Sequence, residues 1–183
     1  MAETLLFLRQ LITKPLQVSA LAPSSRFLAR AMAKELGPRT GRVVEFGPGT
    51  GRLTEGILNA GVAPENLTLF EMNPDFVSHL RSRFPGVTVH LAGAQSAPSV
   101  VEKGVGAVIS GVPLLSMPTA LRRSIVASAF QILRPDGIYV QFTYGPRPAL
   151  DADELRSLGL TWTQTAYVAL NLPPARVHTF RRV

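Results

Sequence analysis

The chain has 183 residues, 46% of them hydrophobic and only 17% charged, with no cysteine and a net charge of +7. One domain over 1–183 can bury roughly 70% of its extended surface without disulfide staples, and the lack of cysteine excludes a thiol nucleophile and any cysteine-ligated zinc or iron–sulfur site. Sixteen of the nineteen basic residues are Arg, so the charge points to a polyanion, nucleic acid or an anionic membrane surface, while no apolar run reaches the roughly 20 residues that cross a bilayer.

In chain order, Glu3–Lys14 reads as a short helix that Pro15 ends. Leu5, Leu8, Leu11 and Ile12 fall within an arc of about 120°, and Leu6 and Phe7 lie outside it beside Arg9 and Lys14. Ser24–Leu36 reads as a second helix, between Pro23 and Gly37-Pro38. From Arg42 strands and helices alternate. Val43–Phe46 is a strand, followed by a glycine turn and a helix through about Ala60. Leu67–Glu71 is a strand and Asn73–Phe84 a helix, with Asn73 as its cap and Pro74 in first position. Val87–Leu91 and Gly106–Ser110 are strands, with a weak helix near Ala97–Lys103 between them. Pro135 and Gly137 stop a helix over Thr119–Leu133 before the strand Ile138–Thr143. The end reads as a helix, Asp151–Ser157, and two strands, Leu160–Leu170 and Val177–Arg182. Such alternation predicts a mostly parallel α/β sheet with helices on both faces, closed by an antiparallel C-terminal hairpin. No repeat, linker or second core interrupts it.

The strongest chemical signal is Glu45-Phe46-Gly47-Pro48-Gly49-Thr50-Gly51, at a strand end and before a helix. Glycines allow the tight turn and a close approach to a ligand, and the helix N-terminus offers free N–H groups. A nicotinamide fingerprint would need glycine at position 52, which is Arg52. Strand, acid, loop and helix in this order resemble motif I of class I S-adenosylmethionine methyltransferases. The resemblance implies a Rossmann-like fold of seven strands with extra N-terminal helices, and S-adenosylmethionine as cofactor, leaving as S-adenosylhomocysteine. Glu45, Gly47, Pro48, Gly49, Thr50 and Gly51 would form the cofactor loop. Glu71, at the end of the second strand, suits the ribose hydroxyls, or alternatively a solvent-facing cap ahead of Asn73. Met72 would pack beside the adenine. Where this superfamily often has an acid near the adenine amine, the chain reads Ala92-Gly93-Ala94-Gln95, so Ala94 backbone groups and the Gln95 side chain are the expected substitutes.

Ser110-Gly111-Val112-Pro113-Leu114-Leu115-Ser116-Met117-Pro118 follows the fourth strand, where this superfamily faces the transferring methyl. Adenine methyltransferases of DNA and rRNA place Asn or Asp first and an aromatic later, to hold and stack the base. Here Ser110 and Leu114 stand in those places, and an apolar loop suits a lipid better than a flipped base. Together with Gln141-Phe142-Thr143-Tyr144-Gly145 and Asn171-Leu172-Pro173-Pro174-Ala175-Arg176-Val177, the chain resembles the soluble, rhodobacterial-type bacterial phosphatidylethanolamine N-methyltransferases over nearly its whole length. The resemblance implies stepwise methylation of phosphatidylethanolamine to phosphatidylcholine by a cytoplasmic, peripheral enzyme on the inner face of the cytoplasmic membrane.

Tyr144 is the first candidate to hold a methylated ammonium by cation–π contact, with Tyr167 and Phe27 behind it. Ser110 is expected at the cofactor, Gly111, Val112 and Pro113 over the methyl, and Arg147 and Arg176 at the lipid phosphate. Residues 1–14 would dock on anionic membrane through Phe7, Arg9 and Lys14, cover the cleft as a lid, or do both. His79, His90 and His178 lack metal-ligand spacing, so no metal is expected, nor a nucleic-acid partner, and a monomer is expected. The alternative readings are an rRNA adenine N6-dimethyltransferase-like enzyme and a non-catalytic membrane-binding relic of the same fold.

Overall fold

The computed structural model describes residues 25–183. The expected Glu3–Lys14 helix lies outside them, and Lys14 with it. Seven strands form one sheet in the order β3-β2-β1-β4-β5-β7-β6. Strand β1 (Val43–Phe46) is buried at all four positions and pairs in parallel with β2 (Leu67–Glu71) on one edge and β4 (Val105–Ser110) on the other. β3 (Thr88–Leu91) extends the parallel set beyond β2, and β5 (Leu133–Thr143) beyond β4. The last two strands, β6 (Leu160–Val168) and β7 (Ala175–Arg182), are antiparallel, with β7 inserted between β5 and β6. This is the predicted Rossmann-like sheet with its terminal hairpin.

Parallel strands need crossovers, and helices supply them: α2 (Arg52–Asn59), α3 (Pro74–Arg83), the short α4 (Ala97–Val100) and α5 (Thr119–Ile132). α1 (Arg26–Met32) precedes β1, and α6 (Ala152–Leu158) joins β5 to β6. Two apolar cores cover the two sheet faces. Leu28, Met32, Ile57, Leu69 and Val140 belong to one, and Phe46, Val108, Val126, Tyr139 and Phe180 to the other. The chain leaves β1 toward β2 and β3, then returns to β4 on the opposite side. That reversal opens a crevice at the strands' carboxyl ends, where open α/β sheets bind ligands.

Boundaries depart most from the sequence reading at two places. Helix α1 starts after Ser25, whose Oγ accepts from Leu28 N at 3.1 Å, and ends at Met32, short of Leu36. α5 ends at Ile132 and β5 begins at once, at Leu133. Pro135 and Gly137 do stop the helix, yet they stand inside the strand. Its pairing with β4 shifts register between Leu133 and Ile138, an irregularity that spares Pro135 from donating to the ladder.

Helix α6 is fixed to α5 by a buried ion pair. Arg122 Nε and Nη2 donate to the two Glu154 oxygens at 2.9 and 2.7 Å, and Glu154 is 3% exposed. The same carboxylate closes a capping box, accepting from Asp151 N at 2.9 Å while Asp151 Oδ1 accepts from Glu154 N at 2.8 Å. Removing one partner would strand a buried charge. Arg122→Ala should therefore cost about 3–5 kcal/mol in urea unfolding. The paired change Arg122→Met/Glu154→Gln, which removes the stranded charge and keeps an oxygen for Asp151 N, should restore most of that loss.

Candidate active site

The loops after β1, β2, β3, β4 and β5 converge on a cleft of about 530 Å³. The glycine loop forms its floor. Gly47 N donates to Phe70 O at 2.9 Å, tying the end of β1 to β2, and Gly51 N closes a turn onto Pro48 O at 2.9 Å. Gly49 adopts φ +54°, and a Cβ built there would meet no protein atom within 4 Å. Its backbone thus lies bare to the cleft in a conformation that L side chains rarely adopt. Helix α2 begins just behind, with Gly51 as its cap, so its first N–H groups and positive end are directed to this loop.

Glu71 clamps the loop from β2. Its Oε2 accepts from Gly49 N at 3.0 Å, and its Oε1 from Met72 N at 2.8 Å and Asn73 N at 2.9 Å. The carboxylate thus organises the turn ahead of α3 and also lines the cleft. A carboxylate offers about four lone-pair sites, so acceptor capacity remains after three bonds.

Glu45 sits behind the loop, fully buried. Thr54 Oγ1 of α2 donates to its Oε2 at 2.6 Å, while Oε1 has no partner. Burial pushes this carboxyl up to about 8, the neighbouring Glu71 charge adds to the rise, and the Thr54 hydrogen bond opposes it.

The opposite wall comes from β4 and β5. Gly111 approaches the glycine loop so closely that a Cβ there would stand 2.6 Å from Gly47 O. Val112 and Pro113 line the cleft beyond it, as do Phe142 and Tyr144. The Phe142 and Tyr144 rings meet edge-on at 5.3 Å. Burial raises the Tyr144 hydroxyl's pKa, against a hydrogen bond with Asn171, so at neutral pH it stays protonated.

The structure brings Gly47, Pro48, Gly49, Thr50, Glu71, Met72, Ala94, Gln95, Gly111, Val112, Pro113 and Tyr144 onto this one cleft. Glu45 and Ser110 are buried behind it, and Gly51 serves as the cap of α2. The remaining candidates stand elsewhere. Phe27 lies in a separate groove of about 1000 Å³ between α1 and α2, beside Arg26, Arg30 and Arg52. Tyr167 stacks under the Arg176 guanidinium at 5.0 Å on the C-terminal hairpin. Arg147 is exposed in the loop after β5, its carbonyl accepting from Thr143 Oγ1 at 3.0 Å.

Leu114, read as the residue standing in place of a base-stacking aromatic, is instead 1% exposed in the core. The apolar wall is made by Met117, Leu121 and Ile125. Their spacing of four residues, running into α5, was the available signal. Phe70, Asn73, Phe76 and Ala92 on the β2–β3 side were also missed. Among the described residues no group of His, Asp or Glu could hold a metal ion.

No family model matches the chain. The ornithine lipid N-methyltransferase of Singulisphaera acidiphila is 30% identical over 154 residues, covering 80% of each chain. Solved structures are similar at lower identity. The Burkholderia thailandensis 1,6-didemethyltoxoflavin-N1-methyltransferase, with 1,6-didemethyltoxoflavin and S-adenosylhomocysteine bound, superposes with TM-score 0.68 at 18% identity, over 88% of this chain and 80% of that one. A TehB-like S-adenosylmethionine-dependent methyltransferase from Corynebacterium glutamicum gives 0.66 at 16%, over 100% of this chain and 99% of that one. A glycopeptide N-methyltransferase complexed with S-adenosylmethionine gives 0.64 at 18%, over 86% of this chain and 94% of that one. At such identities the likeness shows the fold. The cleft fits the cofactor carried by two of these neighbours: the bare Gly49 backbone leaves room at the loop, and the Glu71 carboxylate lines the cleft with acceptor capacity for its hydroxyl groups.

Folded Glu45 keeps its proton up to about pH 8, whereas an unfolded carboxyl loses it near 4.5. Between those values the folded chain binds more protons, so its stability falls as pH rises, by up to about 1.4 kcal/mol per unit. Glu45→Gln abolishes that slope. Urea midpoints of the variant should gain steadily on wild type between pH 5 and 8 and run parallel to it below pH 4.5.

Proposed function

Because the chain belongs to the same family of S-adenosylmethionine-dependent methyltransferases as the Singulisphaera ornithine lipid N-methyltransferase, we propose that it methylates the amine of phosphatidylethanolamine and its methylated derivatives, leading to phosphatidylcholine. One observation carries the lipid acceptor. The wall opposite the glycine loop is apolar, built from Val112, Pro113, Met117, Leu121, Ile125 and Phe142, with the Tyr144 hydroxyl as its polar tip. A base-reading site would need an acid or amide and a stacking aromatic there, whereas Ser110 and Leu114 are both buried. The rRNA reading is accordingly not favoured.

S-adenosylmethionine supplies an electrophilic methyl on a cationic sulfur. Gly47–Gly51 and Glu71 would hold it, with Met72, Ala94 and Gln95 around the adenine, and Glu45, buried behind the loop, would have its charged form favoured by the bound cation. The chain's part in transfer is positional. An apolar wall disfavours a charged amine, so the acceptor nitrogen presents its lone pair, and water is kept out. After transfer the nitrogen is positive again, and the Tyr144 and Phe142 ring faces stabilise it. The amine's proton leaves to solvent at the cleft mouth, where Tyr144 is 39% exposed.

The enzyme would act as a monomer on the anionic inner face of the cytoplasmic membrane. Arg26, Arg30 and Lys34 are exposed around Phe27 and suit lipid phosphates. Residues 1–14, with Lys14, and the cations Arg147 and Arg176 would add to that contact. The Singulisphaera relative favours a second acceptor of the same chemistry, the amine of an ornithine lipid.

Labelled S-adenosylmethionine with vesicles of phosphatidylethanolamine, vesicles of ornithine lipid, or RNA tests the reading. Label should enter an amine-bearing lipid and not RNA, and label in RNA alone would overturn the proposal. Tyr144→Ala should lower methyl transfer about tenfold or more while leaving cofactor affinity within about twofold, read by calorimetry. Glu71→Ala should do the reverse, weakening cofactor binding at least tenfold through loss of charged hydrogen bonds. Cofactor binding at pH 7 should also release protons from wild type but not from Glu45→Gln, measured in buffers of different ionisation enthalpy.

A further inference from the structure

Gln141 is 1% exposed on β5, beside Ser110 of β4 and His178 of β7. Its side-chain amide is fully engaged. Nε2 donates to Val112 O at 3.0 Å and to Phe142 O at 3.1 Å, and Oε1 accepts from the Tyr139 hydroxyl at 2.8 Å. The amide's orientation is dictated by its partners. Two carbonyls can only accept, so the NH2 end faces them and the Tyr139 hydroxyl must donate to the other end. Tyr139 is itself fully buried, with its pKa raised by burial, so it remains a donor at any working pH.

Those two carbonyls belong to two separate chain segments of the acceptor side. Val112 comes from the loop after β4 and Phe142 from the end of β5, and both residues line the cleft. The other hydrogen bonds of the β4 loop stay within it or reach the ends of β1 and β4 and the first turn of α5. Gly111 N donates to Phe46 O at 2.8 Å and Leu114 N to Val112 O at 2.9 Å. Among the described residues, the Gln141 amide is thus the side chain that ties the β4 loop to the end of β5.

We propose that Gln141 sets the width of the acceptor slot and thereby which methylation states of the amine react. Each transfer replaces an N–H by a bulkier N–CH3 at one position. A slot held at fixed width by a buried amide aligns one size of amine best, because alignment to within an ångström decides the rate of an in-line displacement. The inference rests on the methyl-transfer reading above. Gln141 acts on the substrate through Val112 and Phe142, as a positioning residue. Tyr139 acts one step further back, by keeping the amide from turning over.

The test uses Gln141→Leu, which keeps the volume and removes both donations, and Tyr139→Phe, which frees the amide. Val126→Ala, a buried truncation of α5 at a residue that does not line the cleft, controls for lost stability. Kinetics are measured with vesicle lipids whose amine carries none, one or two methyl groups. In Gln141→Leu the kcat/KM ratio of the dimethylated to the unmethylated acceptor should rise about tenfold, with cofactor affinity held within about twofold. Tyr139→Phe should move the ratio the same way by less, and Val126→Ala should leave it unchanged. A second arm needs no acceptor. The Leu114 amide, which donates to Val112 O, should exchange with solvent at least tenfold faster in Gln141→Leu and at the wild-type rate in Val126→Ala.

An unmoved ratio, or a ratio that moves equally in Val126→Ala, overturns the proposal, as does unchanged Leu114 exchange in Gln141→Leu. Failure of wild type to methylate any lipid would instead overturn the lipid reading, and the exchange arm would still decide whether Gln141 holds the two segments together.

Discussion

Strand β1 is bonded on both edges along its whole length, with Val43–Phe46 paired to Leu67–Phe70 on one side and Ala107–Ser110 on the other. A four-residue strand in that position can expose neither face nor edge, so its polar content must be satisfied in place. Glu45 violates the apolar rule there, and Thr54 of the following helix answers one of its oxygens. The helix that compensates the acid is also the helix whose N-terminus backs the glycine loop. Sheet centre, loop and helix are therefore one unit, and the crevice beside them follows from the reversal of chain direction between β3 and β4.

The two sides of the crevice are built on different principles. Across one face of the sheet, aligned positions run His90, Phe70, Phe46, Ser110, Gln141 and His178. On the β2–β3 side this row is aromatic, with Phe46 and Phe70 edge-on at 5.8 Å and Phe70 stacked on His90 at 5.1 Å. On the β4–β5 side it turns polar and buried. The aromatic half packs beneath the β2–β3 side of the cleft, which Phe70 lines. The polar half fixes loops through directed bonds, which suits the side where an acceptor must be aligned. Asn171 adds a link of the same kind, accepting from Ser25 N at 3.0 Å and donating to Pro173 O at 2.8 Å, so the hairpin tip is held to the start of α1 near Tyr144.

What was legible in the sequence is what local chemistry dictates. The positive-φ glycines, Asn73 with Pro74, and the acid at Glu71 each announce a backbone requirement within a few residues. Strand alternation gave the sheet, and the absence of a crossover between the last strands gave the hairpin. What escaped depends on contacts between distant segments. Nothing near Gln141 tells that its amide reaches Val112, nor does anything near Phe27 tell that α1 carries it into a groove with α2. Leu114 and Met117 are equally apolar and three residues apart. Only the 3₁₀ turn at Leu114–Ser116 decides which enters the core and which meets the cleft. Pro135 misled for a related reason: it ends helices reliably, but whether a loop or a strand follows depends on the neighbouring edge.

The row's last polar member, His178, is fully buried with neither ring nitrogen bonded, and burial lowers its pKa from 6.5 to about 4. Its proton balance mirrors that of the acid at the sheet centre. Between pH 4 and 6.5 the unfolded imidazole holds a proton that the folded one refuses, so this group alone makes stability climb as pH rises through that window. The carboxyl contributes the opposite slope from 4.5 upward. Where the windows overlap the two nearly cancel, giving a stability plateau in mildly acid solution that ends, above 6.5, in an alkaline limb set by the carboxyl. A cation seated near the carboxyl flattens the alkaline limb alone. Ligand occupancy would then be written into the pH breadth of the fold as well as its melting point.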